Sequence, residues 1–317
     1  VSSRGLGDVY KRQGTPQPRF AVEVQLDKFA EELGLSPADL RLKHLMQPNT
    51  RAINHLTVTT IGLKECIEKV SEASQFNKRH GQLPLGRGIG IACSAYLTGA
   101  GLPIYWNKMP HSGVQMKIDR GGGVTVFCGS TDIGQGSDSV LATIVAEEFA
   151  IDPEQVIVVT ADTDLTPVDL GSYSSRVTLM TGNAAIEACR PLKEKLLSAV
   201  AEVFQCTSES LTLSEGRVVS LRDTSKTVDF AEAVQWAEAK FGTLGSVGSY
   251  TPPRRGGKFK GAGVGPSPNY SYSACVAEVE CDPETGIYQV HKLWLAHDVG
   301  RSINPVQVCL LYTSDAA

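Results

Sequence analysis

The apolar residues of this chain change their spacing near Gly81, and no other feature restricts the fold as strongly. Up to that point they recur at helical intervals: Val22, Leu26, Phe29, Ala30 and Leu33; then Leu40, Leu42 and Leu45 behind a Ser36-Pro37 cap; then Leu63, Cys66, Ile67 and Val70 after Gly62. Residues three and four apart share a helix face, whereas alternate residues share a strand face, so this region reads as three helices. Past the basic connector NKRHGQLPLGRG the segments GIGIACSAYL, GVQMKID and VTVFCG read as strands, the last two joined by a turn over Asp119 to Gly123. A helix from Ser139 to Ile151 and a buried strand, QVIVVTAD, then complete a β-α-β order. A long loop from Thr163 to Arg176 precedes a helix from about Thr178 to Phe204, and YSACVAEVECD and IYQVHKLWLAHDVG flank a hairpin turn at Asp282 to Gly286. The expected class is mixed α+β, without internal repeats and with a domain boundary near Gly81.

With 317 residues, 42% of them hydrophobic, the chain can bury two ordinary cores. A net charge of −4 and the lack of long basic runs exclude a nucleic-acid footprint. No apolar run approaches the roughly 18 residues of a membrane helix, and the N-terminus has no signal-peptide core, so the expectation is a cytoplasmic protein without membrane contact. The eight cysteines stand singly, with no CxxC pair, and read as buried thiols of a reducing compartment. The histidines form neither HxH nor HExxH, which leaves no metal held by direct protein ligation. The first thirteen residues, VSSRGLGDVYKRQ, and the last nine, CLLYTSDAA, lack periodicity and resemble translated adaptor sequence; both are expected to be non-native, leaving 14–308 for the fold.

The chemistry concentrates in CGSTDIGQGSDS. Two glycines around Gln135 allow a close backbone approach, and a helix beginning just beyond adds partial positive charge, as suits an anion or a polar cofactor. The stretch lacks both the lysine of a phosphate-binding P-loop and the spacing of a dinucleotide fingerprint. A second candidate is GSYSSRVTLMTGNAA, where Ser172, Ser174, Ser175 and Thr178 offer hydroxyls, Arg176 offers a fork of donors, and a helix offers its N-terminal amides. A solvated serine-rich turn is the plain alternative for this loop, and helix capping is the alternative for Gln135. Arg254 and Arg255, with Lys258 and Lys260 in the same glycine-rich run, could line a channel for an anionic substrate tail or form a solvated loop. His111 and His297 read as packing or surface histidines, and Asp298 and Asn304 as turn builders.

Taken in order, STDIGQGSDS, GSYSSRVTLMTGNAA and HDVGRSINP, with GTPQ at Gly14 to Gln17, resemble the large molybdopterin-binding subunit of the xanthine dehydrogenase family. The Ser-Tyr-Ser-Ser-Arg-Val-Thr loop is most similar to the alpha subunit of 4-hydroxybenzoyl-CoA reductase. The resemblance implies mixed α/β molybdopterin-binding domains incomplete at both ends, with 14–80 the last part of a first domain and 81–308 most of a second. It implies a molybdenum-molybdopterin cytosine dinucleotide cofactor against Ile133, Gly134, Gln135 and Gly136 and against Ser172, Ser174, Ser175, Arg176 and Thr178, with Gln135 hydrogen-bonding near the metal. It also implies an iron–sulfur subunit carrying 2Fe–2S clusters and an FAD-binding subunit as partners. The implied reaction is reductive dehydroxylation of 4-hydroxybenzoyl-CoA or a related aromatic acyl-CoA; hydroxylation of a purine, N-heterocycle or aldehyde is the alternative, and a non-catalytic scaffold is the reading from another class. The family's glutamate base lies in a GExP-like segment with no counterpart here, and VYKRQ stands where Phe-Arg of the FRGxGxPQ motif belongs, so no general base is assigned and the fragment alone is expected to be inactive.

Overall fold

A computed structural model describes residues 16–52, 57–97, 108–173, 175–253, 255–256, 263–264 and 270–313. They form two compact units, each discontinuous in sequence: 16–97 with 255–256, 263–264 and 270–301, and 108–253 with 302–313.

The first unit opens with helices α1 (Pro16–Glu32), α2 (Pro37–Lys43), α3 (Leu63–Ser74) and α4 (Phe76–Arg79), followed by strand β1 (Arg87–Leu97). Ser36 caps α2 as its sequence suggests, its Oγ accepting from the Ala38 amide at 3.3 Å while Pro37 fills the first turn. Helix α3 buries Cys66, Ile67 and Val70, three residues of the expected stripe. Helix α1 departs from expectation: Ala30 is buried, but Val22, Phe29 and Leu33 are more than half exposed. Its inward residue is instead Glu23, whose carboxylate accepts from Arg41 Nε at 3.1 Å and Nη2 at 2.9 Å and from the Cys93 amide at 2.8 Å. A charge taken out of water persists only when paired and hydrogen-bonded, so this knot anchors α1 where an apolar face was expected. A cavity of about 390 Å³, lined by Phe29, Leu33, Leu45 and Cys93 among others, lies beside it.

The second unit begins with the hairpin β2 (Ser112–Ile118) and β3 (Val124–Cys128), in which Val114 faces Cys128. Helix α5 (Ser137–Phe149) then crosses over to β4 (Val156–Thr160), which runs parallel to β3 with Val124 opposite Val156. Alternate residues Val124, Val126 and Cys128 point inward, as the period-two pattern requires. Helix α6 (Val177–Phe204) supplies Ala184, Ala188, Leu192 and Leu196 to the core formed with Met116, Val126, Val145 and Phe149. A small meander, β5 (Leu211–Ser214), β6 (Arg217–Ser220) and β7 (Thr227–Asp229), leads to α7 (Phe230–Phe241) and β8 (Gly245–Tyr250), giving a sheet of order β8-β2-β3-β4. At Gly248 the β8 backbone lies directly on α6, where an added Cβ would run into the Ala184 carbonyl and the Ala188 amide. Only glycine permits that approach.

The chain then returns to the first unit. Strand β9 (Tyr270–Cys281) pairs antiparallel with β1 and with β10 (Tyr288–Asp298), in the order β10-β9-β1. The hairpin turn is built by Asp282, which accepts from the Glu284 amide at 2.9 Å and Thr285 Oγ1 at 2.6 Å. Ile89, Ile91, Ala274 and Val276 close over Ile67, Val70 and Phe76. Strand β1, beyond Gly81, belongs to the first compact unit because its partner strand lies far along the chain. The last helix, α8 (Pro305–Thr313), belongs to the second unit. Cys66, Cys93, Cys128 and Cys189 are buried, and burial pushes Cys93 and Cys189 up to about 12, which keeps these thiols protonated. Among the described residues no helix is long and apolar enough to cross a membrane, and no group of three metal-binding side chains occurs.

Candidate functional site

Both candidate loops leave the carboxyl ends of the adjacent parallel strands: one follows β3 from Gly129, the other follows β4 and runs to α6. Ligands of α/β sheets commonly sit beyond the carboxyl ends of the strands. The loops are stitched together by Ser172, whose Oγ donates to the Thr131 carbonyl and accepts from the Thr131 amide at 3.1 Å. Gly129 lets the second loop pass, since a Cβ there would collide with the Pro167 carbonyl.

The first loop satisfies itself. Gly134 and Gly136 take left-handed φ of 91° and 75°, a conformation that favours glycine. Asp132 Oδ1 accepts from the Gly134 amide at 2.8 Å and the Gly136 amide at 3.3 Å, while its Oδ2 accepts from the Asp138 amide at 3.4 Å. The loop's own carboxylate thus occupies the Gly134, Gly136 and Asp138 amides at the entry to α5. Gln135 Nε2 donates to the Thr131 carbonyl at 3.2 Å and to Ser137 Oγ at 2.9 Å, and Oε1 accepts from the Ile133 amide at 2.6 Å. A primary amide has two N–H donors, so Gln135 keeps only acceptor capacity for a ligand. Ile133 is 43% exposed at the loop tip. Behind the loop, the Gln307 side chain of α8 fills the space that a Cβ on Gly136 would take. Gln307 Oε1 and Asp138 Oδ1 are both buried without a hydrogen-bond partner among the described residues. Burial pushes the Asp138 carboxyl above its usual range, with Thr160 Oγ1 opposing the shift and Asp132 adding to it.

The second loop divides its residues between support and surface. Arg176 is buried to 1% exposure, and its Nη1 donates to Asp169 Oδ1 and to the Gly171 carbonyl, each at 2.6 Å. Its Nη2 donates to the His111 carbonyl at 2.6 Å and to Ser112 Oγ at 3.0 Å. Both terminal nitrogens are thus engaged by protein, while Nε is buried without a hydrogen-bond partner among the described residues. Ser175, at φ 52°, and Thr178 are exposed and remain as surface hydroxyls. Helix α6, with Arg176 at its N-cap, has no side-chain cap, as is also true of α5, but unlike α5 it carries no acidic residue in its first turn. Among the described residues no side chain caps its first amides, which is the setting in which helix starts take up anions. Ser174 and Arg254 lie outside the described residues, as do Lys258 and Lys260, and Arg255 belongs to a two-residue strand of the first unit.

Among the remaining candidates, His111 is 3% exposed. Burial also pushes His297 below the ordinary range. Asp298 Oδ1 accepts from the Gly300 amide at 3.1 Å and Asn304 Oδ1 from the Gln307 amide at 3.0 Å, which are turn and cap contacts. Two supporting residues escaped the sequence reading, Asp132 and Asp169. Both stand two positions before a glycine, an Asx-turn signal that was there to be used.

Two stitched loops at the carboxyl ends of parallel strands, backed by a 28-residue helix, define the candidate site of an α+β domain. The start of α6, with no acidic residue in its first turn, suits an anionic oxygen, while the buried acceptors Gln307 Oε1 and Asp138 Oδ1 at the start of α5 suit hydrogen-bond donors. The chain belongs to the molybdopterin cofactor-binding domain family, which matches residues 64–309. It is similar to the xanthine dehydrogenase molybdenum-binding subunit of Escherichia coli O157:H7, 27% identical over 302 residues that cover 92% of this chain and 38% of that protein. It is also similar to the gamma subunit of the 6-hydroxypseudooxynicotine dehydrogenase complex of Paenarthrobacter nicotinovorans, 28% identical over 309 residues, covering 94% of this chain and 37% of that subunit. The fold matches crystalline Cu,Mo-CO dehydrogenase with a TM-score of 0.78 at 23% identity, over 92% of this chain and 38% of the other. The chain therefore spans little more than a third of the length of these relatives.

Proposed function

We propose that this chain is part of the molybdenum-cofactor catalytic subunit of a molybdenum hydroxylase-type oxidoreductase, binding the cytosine dinucleotide form of molybdopterin. The observation that carries the reading is the Ser172–Thr131 stitch, which joins both family-like loops at the carboxyl ends of β3 and β4. When bound, the cofactor supplies two-electron redox chemistry at molybdenum; the protein supplies position and electrostatics. The α6 amides with the Ser175 and Thr178 hydroxyls would hold anionic oxygens. Ile133 and Gly134 would present the loop tip, and Gln135 would hold that tip through Thr131 and Ser137 while offering its Oε1 as acceptor. Asp132 neutralises the start of α5, so the anionic part of the ligand falls to α6. Separate iron–sulfur and FAD-binding subunits would carry the electrons, in keeping with a relative that is itself a complex subunit.

The preferred reaction is hydroxylation of a purine or another N-heterocycle. Relatives named for xanthine, nicotine and 6-hydroxypseudooxynicotine support it. An aromatic acyl-CoA such as 4-hydroxybenzoyl-CoA, reductively dehydroxylated, is the second reading, favoured by GSYSSRVTLMTGNAA and the basic run from Arg254 to Lys260. Metal and nucleotide analysis of the full-length complex, matured with cofactor machinery, tests the assignment. Molybdenum and a cytosine nucleotide in equal amounts are expected; their absence would leave a non-catalytic scaffold. Dye-coupled oxidation of N-heterocycles against low-potential reduction of the thioester then separates the two reactions.

A further inference from the structure

Arg176 and Asp169 form an ion pair whose two side chains are both 0% exposed, directly beneath the loop that follows β4. Such a pair holds its place only when every remaining donor and acceptor is nearly satisfied. Here all but the Arg176 Nε, which is buried without a partner among the described residues, are satisfied from four separate places. The guanidinium reaches the Gly171 carbonyl, the His111 carbonyl and Ser112 Oγ as well as Asp169. Asp169 in turn accepts from Ser112 Oγ, from Thr181 Oγ1 at 3.3 Å on α6 and from the Gly171 amide at 2.8 Å. The Tyr173 ring lies 5.7 Å from the guanidinium carbon. One side chain thus clamps Gly171 to Arg176 as the two feet of a short arch, and the Arg176 amide donates to the Tyr173 carbonyl. From the crown of that arch Ser172 reaches across to Thr131 at the base of the other loop.

We propose that Arg176, with Asp169 and Ser172, is a positioning residue for the cofactor: the planar fork sets the arch, and Ser172 transmits that setting to the loop of Ile133 to Gly136. This inference rests on the cofactor reading above. Two guanidinium nitrogens each serve two acceptors in fixed directions, which a lysine ammonium cannot reproduce although it keeps the charge opposite Asp169. Arg176→Lys therefore separates shape from charge. Loss of a supporting contact behind a metal site commonly weakens it by about tenfold or more.

The test uses the full-length subunit in its complex, comparing wild type, Arg176→Lys, Ser172→Ala and the double variant. The rate of nucleotide and molybdenum release is followed on dilution, far below the unfolding temperature, and the molybdenum(V) electron paramagnetic resonance line shape is recorded. Expected are about tenfold faster release and an altered line shape in Arg176→Lys, an intermediate effect in Ser172→Ala, and a double variant no worse than Arg176→Lys, with circular dichroism unchanged throughout. Wild-type release and line shape in a folded Arg176→Lys overturn the proposal. Should that variant fail to fold, wild-type behaviour of Ser172→Ala overturns it, because the transmitting contact would then be idle. A wild-type complex holding neither molybdenum nor nucleotide sinks the cofactor reading itself, and is told apart by that control.

Discussion

Gly136→Ala separates backbone strain from crowding in the Gln135 loop. Gly136 sits at φ 75°, where an L-residue with a Cβ is disfavoured by about 1–2 kcal/mol. The new Cβ would also meet the Gln307 side chain, at 2.8 Å from Oε1 and 3.0 Å from Nε2. Those atoms end a flexible side chain, so moving it adds only about 0.5 kcal/mol. The expected total is about 2 kcal/mol, a fall in melting temperature of about 4–8 °C for a domain of this size. Asparagine tolerates the left-handed region, so Gly136→Asn should lose only about half as much. Thermal unfolding followed by circular dichroism, on Gly136→Ala, Gln307→Ala and their combination, apportions the two terms. If strain dominates, truncating Gln307 recovers about a quarter of the loss. Full recovery in the double variant, or no loss at all in Gly136→Ala, would falsify the strain account.

The other glycine worth testing is Gly248, where the obstacle is α6 backbone rather than a mobile side chain; Gly248→Ala should destabilise by about 3 kcal/mol, and a change under 1 kcal/mol in denaturant unfolding would contradict the observed approach. Asp138 has a folded pKa raised by burial, so its ionised form weighs against the fold once pH exceeds the unfolded value of about 4. Asp138→Asn should therefore raise the melting temperature at pH 7 and leave it unchanged near pH 3; equal effects at both would exclude the titration. His297 has a folded pKa lowered by burial, so stability is intact above the unfolded value of about 6.5 and declines as pH falls through it. His297→Gln should flatten the melting profile between pH 7 and pH 5, and an unaltered slope would assign the decline to other groups.

Local patterning read well wherever period and cap agreed. Ser36-Pro37 opens α2, the hairpin turns at Asp282, and β3-α5-β4 follows the spacing of its valines. What escaped was decided by partners distant in sequence. Strand β8, GSVGSY, lacks an apolar run, and it is a strand because β2 and α6 offer it a place that only Gly248 can enter. Helix α1 carries a readable stripe, yet the buried Glu23–Arg41 pair fixes its orientation, and no period reveals which charges will meet. At the site, motif spacing located both loops, whereas the division of labour within them was hidden. Arg176 reads identically in sequence whether it faces a ligand or its own fold; the difference lies in Asp169 and His111, which three-dimensional closure brings beneath it.

The interleaving of the two units sets an order for folding. Ser271 Oγ on β9 donates to the Tyr96 carbonyl on β1, 175 positions earlier, so during synthesis β1 must wait with an unpaired edge until nearly the whole second unit has emerged. The second unit's sheet, by contrast, needs only segments between Ser112 and Tyr250. Closing so long a loop carries an entropic penalty that grows with its length, and a collapsed intervening unit shortens the effective tether. A nascent chain halted after Tyr250 should hence protect the β2 and β3 amides from hydrogen exchange while those of β1 exchange freely, and early protection of β1 would reverse the order. Until β9 arrives, that waiting strand is the segment most exposed to pairing with the wrong neighbour, and the stage at which a chaperone has the most to shield.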